Sequence, residues 1–164
     1  MKLVIASTIA LVFATVGASA QQAPSPPPTT PYGPPIGIEA AKKLVAAAEA
    51  EATKNNWGMA IVILDSTGHI VILEKLDNTQ YGSIAVAEDK ARSALDFRRP
   101  TKVFEDLVAQ GGIGLRTLAL RGAAPVEGGI PIITEGKIVG AVGVSGGTSV
   151  QDGQVAKAGA DAAR

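Results

Sequence analysis

Two apolar runs, Gly129–Thr134 and Lys137–Ser145, are separated by Glu135-Gly136 alone. A link this short leaves no room for a crossover, so the two runs must fold back as an antiparallel hairpin. Upstream, Trp57–Leu64 and His69–Leu76 are rich in Ile and Val, and Asp65-Ser66-Thr67-Gly68 supplies a turn between them. Their near-continuous apolar character implies strands covered on both faces, or on one face plus a contact between copies.

The segments between these hairpins carry helical spacing. Ile38, Ala41, Leu44, Val45, Ala48 and Ala52 form one apolar stripe, predicting a helix over 37–55. Ser83 is placed to cap a second helix through Phe97, striped by Ile84, Ala87, Ala91 and Leu95 and stopped by Pro100. Thr101 opens a short helix with Val103, Phe104, Leu107 and Val108, broken by Gly111, Gly112 and Gly114. Leu115–Arg121 reads as a short strand, and 150–163 as a terminal helix. Helices packed on an antiparallel sheet make an α+β fold rather than a doubly wound parallel one. Hydrophobic residues are 46% of the chain but aromatics only 4%, so the core must be built from small aliphatic side chains.

The first 35 residues have a different character. Lys2, the apolar run Leu3–Val16 and the small-residue site Ala18-Ser19-Ala20 form a signal peptide over 1–20, giving an exported product. The run is too short for stable membrane insertion, and no cysteine follows it to carry a lipid. Residues 21–35 hold seven prolines and read as an extended or disordered tether. The folded domain is expected over 36–164.

Composition excludes several chemistries. With no cysteine and one histidine, a single chain cannot build a thiolate-ligated iron–sulfur, haem or zinc site, or a multi-histidine metal site. Fifteen basic against fifteen acidic residues give no cationic excess for nucleic acid. Zero net charge also leaves little self-repulsion, so a homo-oligomer is expected.

His69 is the one side chain suited both to iron ligation and to proton transfer near neutral pH. It stands at a strand start, beside the Gly68 turn. Tyr81 is the second candidate iron ligand, because phenolate also ligates haem iron. Lys90, Arg98 and Arg99 cluster along and after the second helix and could hold haem propionates. Gly146, Gly147, Thr148 and Ser149 form a separate candidate, a glycine-rich loop opening a helix whose free backbone donors could take a carboxylate or phosphate. That loop is neither a P-loop, since the lysine ending is missing, nor a dinucleotide fingerprint, since the spacing is wrong. Ser145 lies in a G-x-S-x-G pattern, but a nucleophile elbow needs a later histidine and a parallel sheet. Asp65 and Asp77 flank the second strand and suit turn bonding better than acid–base work.

Six segments together resemble one family. They are Leu64-Asp65-Ser66-Thr67-Gly68-His69, Leu76-Asp77, Ala87-Glu88-Asp89-Lys90-Ala91, Phe97-Arg98-Arg99-Pro100-Thr101, Gly128-Gly129-Ile130-Pro131, and Val139–Gly146 with Asp152. Their order and spacing are similar to the GlcG/HbpS-like haem-binding family, related to the C-terminal domain of PduO-type cobalamin adenosyltransferases. The resemblance implies a profilin-like fold around a five-stranded antiparallel sheet covered by helices, compact homo-oligomers and, for some members, haem binding. The histidine of the turn motif corresponds to His69. The expected function is an exported, non-catalytic protein that captures or buffers haem, with His69 or Tyr81 at iron. The alternative is an enzyme or accessory protein binding a small organic acid at the glycine-rich loop.

Overall fold

A computed structural model describes residues 29–163. The expected signal peptide and the first part of the tether lie outside the described residues. Helix α1 spans Ile38–Lys54, strands β1 and β2 span Ala60–Asp65 and Ile70–Lys75, and α2 spans Ser83–Phe97. Helix α3 covers Lys102–Gln110 and a 3-10 segment covers Gly112–Ala119. Strands β3 and β4, Gly129–Thr134 and Lys137–Ser145, precede helix α4, Ser149–Asp161.

The four strands form one antiparallel sheet in the order β2-β1-β4-β3. Among the described residues, four strands replace the expected five. The segment 115–121, expected as a strand, lies largely in the 3-10 helix instead. Gly111 and Gly112 both have left-handed φ values, 69° and 54°, and turn the chain sharply out of α3. Gly114 then packs so closely that a Cβ there would sit 1.9 Å from the Leu107 carbonyl oxygen.

Strand alternation sorts the sheet into two cores. Met59, Ile61, Ile63, Val142 and Val144 face α1 and α4, together with Leu44, Val45 and Val155. Ala60, Val62, Leu64 and Ala141 face α2, against Ala87, Ala91 and Ala94. Residues 60–64 of β1 have no exposed surface, which explains the unbroken apolar run. The second layer is made of small residues, so α2 lies very near the sheet. A Cβ on Gly143 would stand 2.0 Å from the Ala87 carbonyl oxygen.

The end of the tether is part of the fold. Beyond Gly140, β1 no longer pairs with β4, because β1 stops at Asp65. Residues 31–36 take up β4's backbone groups there. Ile138 N–H donates to Pro31 O, Gly33 N–H to Ile138 O and Ile36 N–H to Val139 O, at 2.8, 2.8 and 2.9 Å. Tyr32 and Ile138 form a parallel bridge.

Candidate functional site

The β1–β2 turn positions His69. Gly68 adopts φ 87°, which a side chain would strain, and closes the turn with its N–H on the Asp65 carbonyl at 3.0 Å. The Asp65 carboxylate organises the rest. Its Oδ1 accepts from Thr67 N–H (2.8 Å), Thr67 Oγ1 (2.6 Å) and His69 N–H (3.1 Å). Partial burial raises the acid's pKa, but these hydrogen bonds outweigh that and hold Asp65 below its ordinary value. It is therefore an anion at neutral pH and can only accept.

This ordering fixes the imidazole. Thr67 Oγ1 lies 2.7 Å from His69 Nδ1. The hydroxyl has one proton and gives it to Asp65, so it accepts from Nδ1–H. In the neutral ring this leaves Nε2 without a proton, its lone pair free, the tautomer that a metal ligand requires. His69 is exposed, as are Ile70 and Leu73 on edge strand β2. A bulge shifts the β1–β2 register so that Ile70 pairs with Leu64 and Leu73 with Val62. Both exposed residues thus share the sheet face that carries α2. Arg92 borders the turn, its Nη1 donating to Gly68 O at 3.2 Å and its Nη2 to Glu88 at 2.9 Å.

The remaining candidates do not gather here. Tyr81 is 90% exposed but precedes the start of α2, whereas the His69 turn meets α2 near Arg92. Ten residues of helix separate Gly82 from Arg92, roughly 15 Å along the axis. Lys90 is withdrawn from the propionate set because it is 1% exposed. Its Nζ lies 2.6 Å from Asp152 Oδ2 and 3.2 Å from Val144 O, so its charge is spent inside the molecule. The sequence hint was its place on the α2 stripe with Ala87, Ala91 and Ala94. Arg98 caps α2 with φ 53°, lies over the Tyr32 ring at 4.4 Å and donates to Thr29 at 3.2 Å. It also lines a pocket of about 390 Å³ with Ile130, Pro131 and Ile133 of β3. That pocket is on the opposite edge of the sheet from β2. Arg99 lies over Phe104 at 5.7 Å.

The glycine-rich loop is occupied by its own side chains. Gly147 N–H donates to Asp152 Oδ1 at 2.9 Å, and Thr148 and Gln151 form a reciprocal capping box on α4. The loop abuts Gly58 and Met59 at the start of β1, while His69 follows the other end of that strand. The six residues of β1 lie between the two, about 20 Å. His69 is therefore not a proton carrier for a ligand at that loop within one chain. Among the described residues no group of three or more His, Cys, Asp or Glu could hold a metal ion. No helix among them is long and apolar enough to cross a membrane.

These observations define an α+β domain whose antiparallel sheet presents one oriented imidazole at its edge. The chain belongs to the HbpS-like family, whose model, described as "Haem degrading protein HbpS-like", matches residues 36–161. It is 41% identical to protein GlcG of Escherichia coli K12 over 110 residues, covering 67% of this chain and 81% of GlcG. A double mutant of Streptomyces reticuli HbpS superposes with a TM-score of 0.70 at 26% identity, covering 94% of this chain and 97% of HbpS. A PduOC:heme complex shares the fold, with a TM-score of 0.69 at 22% identity over 78% of this chain and 94% of that one.

Proposed function

We propose that this protein binds haem reversibly, with His69 Nε2 as the group that meets iron. The observation that carries the reading is the Asp65–Thr67–His69 relay, which leaves Nε2 of the neutral ring bare on an exposed side chain. Ile70 and Leu73 offer exposed aliphatic surface beside it for a porphyrin face, and Arg92 is a nearby cation for a propionate. Membership of the HbpS-like family and the fold shared with a haem complex support the same ligand. Bound haem would supply a Lewis-acidic, redox-active iron. The chain's own part is to orient the imidazole, shield one face of the ring and pair its carboxylates.

The role that fits is capture or buffering of haem after export, with residues 1–20 as the export signal and no chemistry performed on the ligand. His69 would be the one ligand a single chain offers the iron from this turn. Self-association is part of the proposal, because Ile113, Leu115 and Leu118 of the 3-10 segment are 76%, 49% and 62% exposed. The organic-acid alternative is not supported by the loop geometry above. The test is a haem titration of the mature protein followed by the Soret band. Wild type should give a saturable shift and His69→Ala should not. Equal shifts in both would exclude His69 as the ligand.

A further inference from the structure

The Thr67 hydroxyl decides which nitrogen of His69 carries the proton, so whatever fixes Thr67 fixes the site. Its two neighbours are each tied to a different element. Gly68 O accepts from Arg92 Nη1 of α2 at 3.2 Å. Ser66 Oγ donates to Gly33 O at 2.9 Å. Gly33 belongs to the stretch 31–36, which lies along β4 and starts before the residues matched by the family model.

That stretch is itself anchored at several points. Its backbone exchanges hydrogen bonds with Ile138 and Val139, and the Tyr32 hydroxyl donates to Leu95 O at 2.9 Å. Arg98 covers the Tyr32 ring. The fit against β4 is close, since a Cβ on Gly33 would meet Lys137 Cβ at 2.8 Å, an atom fixed to the backbone.

We infer that residues 31–36 act as a strap that positions the His69 turn, with Gly33 and Ser66 as positioning residues for the imidazole. The strap and α2 hold the turn from two sides, and the Asp65–Thr67–His69 relay lies between them. The inference rests on the relay, and its link to haem rests on the proposed function. A corollary is that anything drawing the tether away from β4 would loosen the imidazole without touching it.

The chain has one histidine, so ring-¹⁵N labelling of histidine reports His69 alone. In haem-free protein above the titration of the ring, wild type should be mainly the Nδ1–H tautomer. Ser66→Ala removes the link and Gly33→Ala displaces the strap. Each should raise the Nε2–H share by about threefold or more, the scale of one lost hydrogen bond, and weaken haem binding by a similar factor. Thr67→Ala should abolish the bias and marks the end point. Unchanged ring-nitrogen shifts in Ser66→Ala and Gly33→Ala, with Tyr32 signals showing the strap displaced, would overturn the inference. So would a wild type already resembling Thr67→Ala. A tautomer shift without any haem binding would uphold the strap and sink the haem reading.

Discussion

Lys90 Nζ and Asp152 Oδ2 are 2.6 Å apart with both side chains at most 3% exposed, so a buried ion pair joins α2 to the first turn of α4. Asp152 also accepts from Gly147 N–H, which holds the end of β4 against the helix. Gly128 and Gly129 make room for the pair. A Cβ on Gly128 would stand 2.9 Å from Lys90 Nζ, and one on Gly129 would stand 2.2 Å from Lys90 O.

Breaking this pair from one side leaves a buried, unpaired charge. Lys90→Met should therefore cost about 3–5 kcal/mol in urea unfolding. Burial raises the Asp152 pKa, and the hydrogen bonds from Lys90 and Gly147 only partly offset it. A folded pKa above the unfolded one means that this group favours folding most at low pH, an advantage lost as pH rises through the folded value. The double variant Lys90→Met, Asp152→Leu should recover most of the single-variant loss, less about 1 kcal/mol for the Gly147 donor. A double variant no more stable than Lys90→Met would contradict the account.

Much of this was legible in the sequence, and the failures have physical causes. Glu135-Gly136 marked the C-terminal hairpin and Pro100 the end of α2, because turn and breaker chemistry is local; Ser83 does not cap the helix as expected, since Gly82 is the N-cap and the Ser83 Oγ is buried without a hydrogen-bond partner. Lys90 reads in the sequence as a candidate cation for a propionate, since its partner lies 62 residues away and only the folded chain unites them. Tyr32 reads as tether because the prolines around it give no local sign of β4, whose Ile138 bonds the flanking Pro31 and Gly33 from more than a hundred residues downstream. The His69 turn was visible, but its tautomer depends on Thr67 and Asp65 geometry that residue order does not encode.

Tyr81 should be dispensable for haem. It sits at the end of α2 away from the His69 turn, so one bound molecule cannot use both within a chain. Tyr81→Phe should leave the Soret position and affinity within about twofold of wild type, while His69→Ala loses the band shift. Loss of the shift in Tyr81→Phe would require a ligand shared between copies.

Glu74 should make the protein more stable in mild acid. Its Oε1 is buried without a hydrogen-bond partner. Burial first, and the nearby Glu49 carboxylate second, raise its pKa. The folded state therefore holds this proton more tightly, so the contribution is full below the unfolded pKa and fades as pH rises through the folded one. Glu74→Gln should raise the melting temperature at pH 7 and flatten its dependence as pH rises above the ordinary glutamate range. No change in that slope would show that Glu74 titrates normally.

Gly143 should tolerate no side chain. It faces α2 from the centre of the sheet, and a Cβ would stand 2.0 Å from Ala87 O and 2.6 Å from Ala91 N. These are backbone atoms, so α2 itself must move away from β4. Gly143→Ala should destabilise by about 3 kcal/mol or more, at or beyond the upper end of ordinary overpacking. Gly37→Ala, with no atom near the added Cβ, is the matched control and should be close to neutral. Equal denaturation midpoints for the two would refute the close approach of α2.

The exposed 3-10 segment should govern assembly. Ile113 and Leu118 leave most of their surface in water, and Leu115 and Leu120 are about half exposed. A cluster of this kind on one short segment is the surface where the proposed self-association would occur. The chain's zero net charge does not oppose copies meeting there. Leu118→Glu would place a carboxylate in such a contact, where burial without a partner costs several kcal/mol. The variant should therefore sediment as a smaller species at concentrations where wild type is assembled, with unchanged far-ultraviolet circular dichroism. Haem titration of Leu118→Glu then tests whether the ligand at His69 depends on assembly. A retained Soret shift would place the ligand within one chain, whereas a lost shift would place it between copies. An unaltered sedimentation profile would show that this surface is not the one copies share.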